Sequence, residues 1–209
     1  MPAVGAYREQ VVPRLVDRMC GAAGFDRWRA RAVEGLSGRV VEVGFGSGLN
    51  VPHYPDAVEV VLAVEPAAVA RRRAGPRISA SPVRVEHVGL DGQDIPLDDA
   101  SCDAALVTFT LCTVPDPARA LSEVRRVLRP GGAVHFLEHG LSPEAGVARW
   151  QHRLEPVQRR IADGCHLTRV PTALVEGAGF VMRHNEQRYV RGPKPWCWLT
   201  LGVAVNPGA

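Results

Sequence analysis

Five short apolar runs, separated by polar or glycine-containing segments, divide the chain between residues 40 and 138. They span residues 40–43, 58–64, 83–88, 104–108 and 133–138, and mostly apolar runs of this length predict buried strands. Two further strand-like runs lie near residues 180–184 and 196–203. Helical stretches lie between several of these runs, and such alternation of strand and helix predicts a parallel, doubly wound sheet.

The clearest helix is predicted from about residue 117 to residue 129. Asp116 supplies its cap, Pro117 occupies its first turn, and the Pro-Gly-Gly sequence at 130–132 provides a stop. Apolar residues at three- and four-residue steps share one face of this helix: Ala118, Leu121, Val124 and Leu128. We expect the helix to connect the fourth strand to the fifth.

The segments on either side of these strands have a helical pattern. Residues 1–37 predict two short N-terminal helices, because their apolar residues recur at helical spacing. These residues are Val12, Leu15, Val16 and Met19, followed by Phe25, Trp28, Ala32 and Leu36. Residues 141–179 predict an irregular helical insertion that faces the substrate. No repeat or low-complexity tract divides the chain, so we expect residues 1–209 to form a single domain.

Composition restricts the class of protein. Hydrophobic residues make up 46% and charged residues 22% of the 209, which are globular values that exclude disorder as the main state. The net charge is only +3 with scattered arginines, so we expect no nucleic-acid partner. No apolar run approaches the roughly 20 residues of a membrane span, and no export signal opens the chain, so we expect a cytoplasmic protein.

The cysteines also inform the prediction of compartment and metal content. Their number is five, and they lie at positions 20, 102, 112, 165 and 197 with no CxxC spacing. An odd number without paired spacing is typical of reduced thiols in the cytoplasm. The sequence therefore predicts neither a structural zinc site nor any other metal.

A glycine-rich loop directly follows the first predicted strand. Glu42 precedes Gly44, Gly46 and Gly48 in an ExGxGxG pattern, and alternate glycines allow a sharp turn and close approach of a ligand to the backbone. A dinucleotide fingerprint has a small residue where this chain has Leu49, which would crowd a pyrophosphate. The pattern therefore favours a cofactor without a pyrophosphate, although a plain strand-to-helix turn remains the alternative.

Two further segments add candidate cofactor contacts. Glu65 ends the second strand about 20 residues after the glycines, where an acid can accept both hydroxyls of a ribose, and Pro66 follows it. Asp91, Gly92 and Gln93 form a polar turn after the third strand, where Asp91 can accept an adenine amino group. A helix-start carboxylate at Glu65 and a simple turn former at Asp91 are the structural alternatives. Thr108, at the end of the fourth strand, completes the candidate set.

The glycine loop, the acid at the end of the second strand and the polar turn after the third strand follow one another along the chain. With this order of motifs, residues 38–139 resemble the class I S-adenosylmethionine-dependent methyltransferases. The resemblance implies a Rossmann-like, doubly wound, seven-stranded methyltransferase sheet in a three-layer αβα arrangement, with S-adenosyl-L-methionine as cofactor. It places the methionine part of the cofactor at Glu42–Gly48, the ribose at Glu65 and adenine at Asp91–Gln93. Phe45 departs from the pattern because a small residue is usual at its position, and we expect the loop to repack around it.

A narrower resemblance extends over nearly the whole chain. Residues 50–55, 110–114, 136–139, 150–151 and 163–169 are similar to segments of the methyltransferase-like alkyl-thiol S-methyltransferases. The resemblance implies S-methylation of a small-molecule thiol or dithiol by in-line displacement. The candidate catalytic residues are His139, His166 and Asp163. The candidate substrate-binding residues are Tyr7, Cys112, Trp150 and Arg169. For each candidate, an ordinary structural role is the alternative.

Specific roles follow from the chemistry of these side chains. His139 or His166 can accept a proton from the thiol, and Asp163 can orient an imidazole. Arg169 can hold a substrate carboxylate or stabilise a thiolate. Two other functions stay open: O-, N- or C-methylation of a quinone-like or lipid-headgroup acceptor, and cofactor binding without catalysis. The sequence makes no prediction of the oligomeric state.

Overall fold

The computed structural model describes Arg14, Asp17, Cys20, Gly21 and residues 23–208. The strands are β1 (Gly38–Val43), β2 (Val58–Val64), β3 (Arg84–Gly89), β4 (Cys102–Thr108), β5 (Leu128–His139), β6 (Val181–Tyr189) and β7 (Trp198–Val205). The α-helices are α1 (Ala23–Val33), α2 (Ala68–Ser79), α3 (Pro117–Val127), α4 (Ala145–Ile161) and α5 (Pro171–Gly177), and 3-10 helices cover Val51–His53 and Lys194–Trp196.

All seven strands form one sheet in the order β3-β2-β1-β4-β5-β7-β6. The first five strands are parallel, and β7 pairs antiparallel with both β5 and β6. β1, β2 and β4 carry almost continuous apolar sequence because helices cover both of their faces. This confirms the predicted α/β fold, in which the carboxyl ends of the parallel strands meet at one edge of the sheet.

Each face of the sheet has its own hydrophobic core. On one face, Val41 and Val43 of β1 belong to a core with Leu121 and Val124 of α3. On the other face, Val40 of β1 belongs to a core that includes residues of α1 and α2. Successive residues of a strand point to opposite faces, so β1 contributes alternately to the two cores and the molecule has three layers.

Element bounds differ from the predicted ones where one element passes directly into the next. α3 begins at Pro117 with Asp116 as its N-cap, as predicted, but it ends at Val127, and β5 begins at Leu128 rather than at 133. β7 begins at Trp198, two residues later than predicted, because the 3-10 helix occupies 194–196. The segment 141–179, predicted as an irregular helical insertion, contains the 17-residue helix α4, with Pro156 inside it, and the seven-residue helix α5.

The second predicted N-terminal helix is α1, whereas most of the first lies outside the described residues. Within the part of the chain that the structure describes, no helix is long and apolar enough to cross a bilayer.

Candidate active site

The loop after β1 places its three glycines in left-handed backbone conformations, with φ of 74° at Gly44, 60° at Gly46 and 74° at Gly48. A Cβ on Gly44 would lie 1.9 Å from Thr110 Oγ1, so this glycine is needed for close packing against the loop after β4. A Cβ on Gly46 would meet nothing closer than a carbonyl oxygen at 3.8 Å. The Gly46 backbone therefore faces open space, where a ligand can approach it.

Glu65, at the end of β2, ties the glycine loop to the start of α2. Its carboxylate accepts hydrogen bonds from Gly46 N at 2.7 Å and from Ala67 N at 2.8 Å. Burial is the main cause that raises the pKa of Glu65, and the Asp163 carboxylate contributes. A carboxylate has about four acceptor positions, so two remain for hydroxyl groups of a ligand.

The turn after β3 is held by its own side chains. Asp91 Oδ1 accepts from Gln93 N at 2.8 Å and from Gln93 Nε2 at 3.1 Å, and these bonds lower the pKa of Asp91. Gly92 packs against β1, since a Cβ there would lie 2.5 Å from Val43 Cγ1. Beside this turn, Arg71, His87, Val88, Gly89 and Leu90 line a surface pocket.

Glu42 and Thr108 belong to a buried polar network below the glycine loop. Glu42 is fully buried and accepts hydrogen bonds from Tyr54 Oη and from Asn50 Nδ2 at 2.8 Å. Asn50 also donates to Thr108 Oγ1 at 2.9 Å and accepts from Arg29 at 2.8 Å. Burial raises the pKa of Glu42 to about 7. Both residues were predicted from the sequence to contact the cofactor, and in the structure both accept hydrogen bonds from other side chains of the protein.

Glu138 organises the loop after β4, and it was not among the site residues predicted from the sequence. It is fully buried on β5 and accepts hydrogen bonds from the backbone N–H groups of Thr110 at 2.6 Å, Leu111 at 2.9 Å and Cys112 at 3.4 Å. Burial raises its pKa to about 7. An acidic residue within an otherwise apolar strand is the sequence feature that could have identified Glu138 as a site residue, as it did for Glu42.

Cys112, His139 and Cys165 meet next to this loop. The sulfur atoms of the two cysteines and an imidazole nitrogen lie within 4.8 Å of one another. His139 Nε2 is 3.2 Å from Cys165 Sγ. Hydrogen bonding to Cys112 and burial raise the pKa of the Cys165 thiol. The structure thus joins one predicted catalytic residue and one predicted substrate-binding residue with a cysteine that was not assigned a role.

Glu155 of α4 contacts His166. Glu155 Oε1 lies 2.9 Å from His166 Nδ1, and Oε2 accepts from Thr168 N at 2.9 Å. Asp163, predicted from the sequence to orient an imidazole, lies exposed in the turn after α4 with a φ of 49°. Its carboxylate contributes to the raised pKa of Glu65.

Two of the remaining substrate candidates, Arg169 and Trp150, have contacts within the chain. Arg169 donates to the carbonyl oxygens of Leu111 and Val114, the second at 2.8 Å, and so supports the backbone on both sides of Cys112. Trp150 is 57% exposed on α4, and the Arg153 guanidinium lies 5.6 Å from its ring centroid. Tyr7 is outside the described residues.

The residues at the sheet edge fit S-adenosyl-L-methionine. The open Gly46 backbone, the Glu65 carboxylate and the pocket beside β3 follow one another along the carboxyl ends of β1, β2 and β3, which are neighbours in the sheet. Ligands of doubly wound sheets bind at this edge. Gly46 leaves the space that a Cβ would fill, so an elongated adenosyl compound can lie across the three strand ends.

Comparisons with known proteins agree with this geometry. Residues 41–136 match the family model described as "Methyltransferase domain". The chain is 35% identical over 185 residues to "Thiol S-methyltransferase TMT1B" of Homo sapiens, covering 84% of this chain and 72% of the relative. It is 34% identical over 116 residues to "Phosphatidylethanolamine N-methyltransferase" of Cereibacter sphaeroides, covering 54% of this chain and 56% of the relative.

Solved structures share the fold. A protein from Bacillus halodurans C-125 matches with a TM-score of 0.71 at 15% identity, over 88% of this chain and 99% of that one. Geranyl diphosphate methyltransferase in complex with SAM matches with a TM-score of 0.66 at 16% identity, over 90% of this chain and 86% of that one. The chain is an enzyme that belongs to the class I S-adenosylmethionine-dependent methyltransferases, close to the thiol S-methyltransferase branch.

Proposed function

We propose that the protein transfers a methyl group from S-adenosyl-L-methionine to the sulfur of a small-molecule thiol. The observation that carries this proposal is the 35% identity to a thiol S-methyltransferase over 84% of the chain. The similarity to an N-methyltransferase covers only 54% of the chain. A thiol acceptor is therefore favoured over a lipid headgroup, for which the same cofactor-binding residues would serve.

The bound cofactor supplies an electrophilic methyl group on a sulfonium. We assign its binding to the open backbone at Gly46, to Glu65 and Pro66, and to the turn at residues 91–93. The acceptor approaches from the side opposite the leaving sulfur. Its sulfur forms a bond to the methyl carbon as the methyl–sulfonium bond breaks, and the thiol proton passes to solvent.

We place the acceptor beside the loop after β4. This loop lies against the glycine loop, since Thr110 fills the space next to Gly44. Cys112 and His139 border the same region, and the Arg169 guanidinium beside Cys112 provides a positive charge there. Free thiols have a pKa near 8.5, so a positive field raises the reactive thiolate fraction at neutral pH. Holding the acceptor in line and excluding water can contribute about 7–11 kcal/mol to lowering the barrier.

All five cysteines are free, which agrees with a reducing compartment, and we therefore propose the cytoplasm as the site of the reaction. The test is methyl transfer from radiolabelled cofactor to a panel of thiols, phenols and amines of matched size. We expect labelled thioethers, identified by mass spectrometry, and no product from the matched phenols and amines. Methylation of phenols or amines with no thioether would contradict the proposed acceptor class.

A further inference from the structure

Three side chains with soft ligand atoms converge from distant parts of the sequence. Cys112 lies in the loop after β4, His139 at the end of β5, and Cys165 in the turn after α4. Their separations of 27 and 26 residues match no CxxC spacing, which is why the sequence analysis predicted no metal. Each residue offers one ligand atom, and all three atoms lie within 4.8 Å of one another.

These distances are close to those of a tetrahedral zinc site. With Zn–S bonds of about 2.3 Å and Zn–N bonds of about 2.0–2.1 Å, ligand atoms are about 3.6–3.8 Å apart. His139 Nε2 and Cys165 Sγ are 3.2 Å apart, and no pair exceeds 4.8 Å. Changes of about 1 Å or less in each ligand–ligand distance would complete the geometry, and side-chain rotations can supply them.

The backbone around the three ligands is already fixed. Cys112 N donates to Glu138 at 3.4 Å, and the Cys112 carbonyl accepts from His166 N at 2.7 Å. The second bond joins the Cys165 turn directly to the loop that carries Cys112. Cys165 N donates to the Ala162 carbonyl at 3.0 Å at the end of α4. The ligands are thus held together by hydrogen bonds of the chain and do not depend on exposed, unsupported side chains.

His139 is poorly satisfied by the protein itself. Its Nε2 contacts a sulfur atom, and its Nδ1 is buried without a hydrogen-bond partner among the residues that the structure describes. Burying a polar group with weak or missing partners is unfavourable. Coordination through Nε2 would replace a weak contact to sulfur with a strong bond, and so would recover part of this cost.

We propose that Cys112, His139 and Cys165 bind a zinc-type divalent cation. Two sulfurs and one imidazole favour this class, whereas Mg²⁺ and Ca²⁺ require oxygen ligands. The cluster offers three ligands among the described residues, which leaves a fourth position of a tetrahedral ion open. A set of two cysteines and one histidine with an open position is typical of catalytic zinc, whereas structural zinc has four protein ligands.

The open position has a specific use that rests on the proposed function. The loop carrying Cys112 also packs against the glycine loop through Thr110, so the cluster adjoins the cofactor side of the sheet edge. A thiol acceptor can bind the cation as a thiolate and release its proton to solvent. The bound sulfur then forms the bond to the methyl carbon as the methyl–sulfonium bond breaks. The cation is neither oxidised nor reduced.

The binding test uses the full chain, stripped of metal under reducing conditions and titrated with Zn²⁺ alone against a chromogenic chelator. We expect one ion per chain. Replacement by Co²⁺ should give thiolate-to-cobalt charge-transfer absorption and the intense visible bands of tetrahedral coordination. Loss of a residue that hydrogen-bonds to a metal ligand already weakens metal affinity about 10–100-fold. Loss of a ligand itself should therefore weaken Zn²⁺ affinity at least about 100-fold in each of Cys112→Ser, Cys165→Ser and His139→Ala.

Cys197→Ser is the matched control, because Cys197 is also buried but lies outside the cluster. It should bind Zn²⁺ as the wild type does. Cofactor affinity and circular dichroism of the stripped variants separate loss of a ligand from loss of folding. A wild type that binds no Zn²⁺ would overturn the proposal. So would a Cys112–Cys165 disulfide that persists under reduction, or cluster variants with unchanged affinity.

A second readout separates this inference from the proposed function. The stripped and the Zn²⁺-loaded wild type are compared for thiol methylation, and loading should raise the rate at least about tenfold. Equal rates would overturn the role of the open position and leave thiol methylation standing. Tight Zn²⁺ binding with methylation of amines or phenols only would overturn the thiol acceptor and leave the metal site standing.

Discussion

At the scale of single residues, the three loop glycines have different tasks although they look equivalent in the sequence. Gly44 makes room for Thr110, and Gly48 packs near Val51 and Ala74. Gly46 alone of the three has open space beyond its Cα and also donates its N–H to Glu65. The contact with a ligand is therefore expected at Gly46.

Gly46→Val should abolish cofactor binding measured by calorimetry, because the side chain would occupy the space that the cofactor needs. The control is Gly131→Val, since Gly131 also has a left-handed backbone, with φ of 83°, and open space around a Cβ. Both variants carry a backbone strain of about 1–2 kcal/mol, but only the first should lose the cofactor. Retained affinity in Gly46→Val would show that the cofactor lies elsewhere.

Glu65→Ala should weaken cofactor affinity by about 1.5–3 kcal/mol, the range for hydrogen bonds to a charged group. The carboxylate would no longer accept ribose hydroxyls, and Gly46 N would lose its acceptor. Glu59→Ala, an exposed position on the same strand β2, should leave the affinity unchanged. Calorimetric titration with S-adenosylhomocysteine measures the affinity of both variants. An affinity of Glu65→Ala equal to that of the wild type would remove Glu65 from the ribose site.

At the scale of elements, one buried side chain joins α4 to two neighbouring segments of the chain. Gln151 is fully buried, donates to the carbonyls of Gly140 and Pro195 at 2.9 Å each, and accepts from Ser142 N at 2.9 Å. These bonds join the helix to the segment after β5 and to the 3-10 helix before β7. The helix also carries Glu155, which holds His166.

Gln151→Ala should lower the free energy of unfolding by about 2–4 kcal/mol, because it leaves two buried backbone groups and the half-buried Pro195 carbonyl without this partner. It should also raise KM for the acceptor more than it weakens cofactor affinity, since α4 borders the acceptor side. His152→Ala, exposed one residue along the helix, is the control and should have little effect. Urea unfolding and steady-state kinetics measure the two effects, and a stability equal to that of the control would contradict this role.

At the scale of the whole molecule, buried carboxyl groups make stability depend on pH. Glu42 is surrounded by Tyr54, Asn50 and Arg29 between the sheet and α1, and burial raises its pKa from 4.5 to about 7. The folded protein therefore holds a proton that the unfolded chain releases above about pH 4.5. The contribution of Glu42 to the free energy of unfolding is fully present below pH 4.5 and is lost as the pH rises to about 7.

Glu42→Gln should remove this dependence, since the amide stays neutral. The difference in free energy of unfolding between wild type and variant should change by on the order of 3 kcal/mol between pH 4.5 and 7, with the wild type losing stability relative to the variant. Glu59→Gln should follow the wild type. Chemical denaturation of the cofactor-free protein across this pH range measures the difference, and parallel curves would show that Glu42 is ionised throughout.

Local sequence determined the parts of this protein that depend on neighbouring residues. The apolar run at 58–64 forms β2 at the predicted positions, and Asp116 caps α3 because its carboxylate reaches Arg119 N within the same turn. The ExGxGxG pattern indicated the loop, since the left-handed backbone that it requires is a property of glycine itself. Family resemblance added the cofactor and the class of reaction.

The tertiary structure decided which distant side chains meet. Cys112, His139 and Cys165 come together only because β4 and β5 are adjacent in the sheet and α4 folds back over their ends. Glu155 reaches His166, and Glu138 holds the backbone at 110–112, through contacts between segments 11 to 28 residues apart. A sequence pattern encodes which face of an element is buried, but not which atoms of another element occupy that side. Packing settles the partner, because it must fill space and satisfy buried polar groups at once.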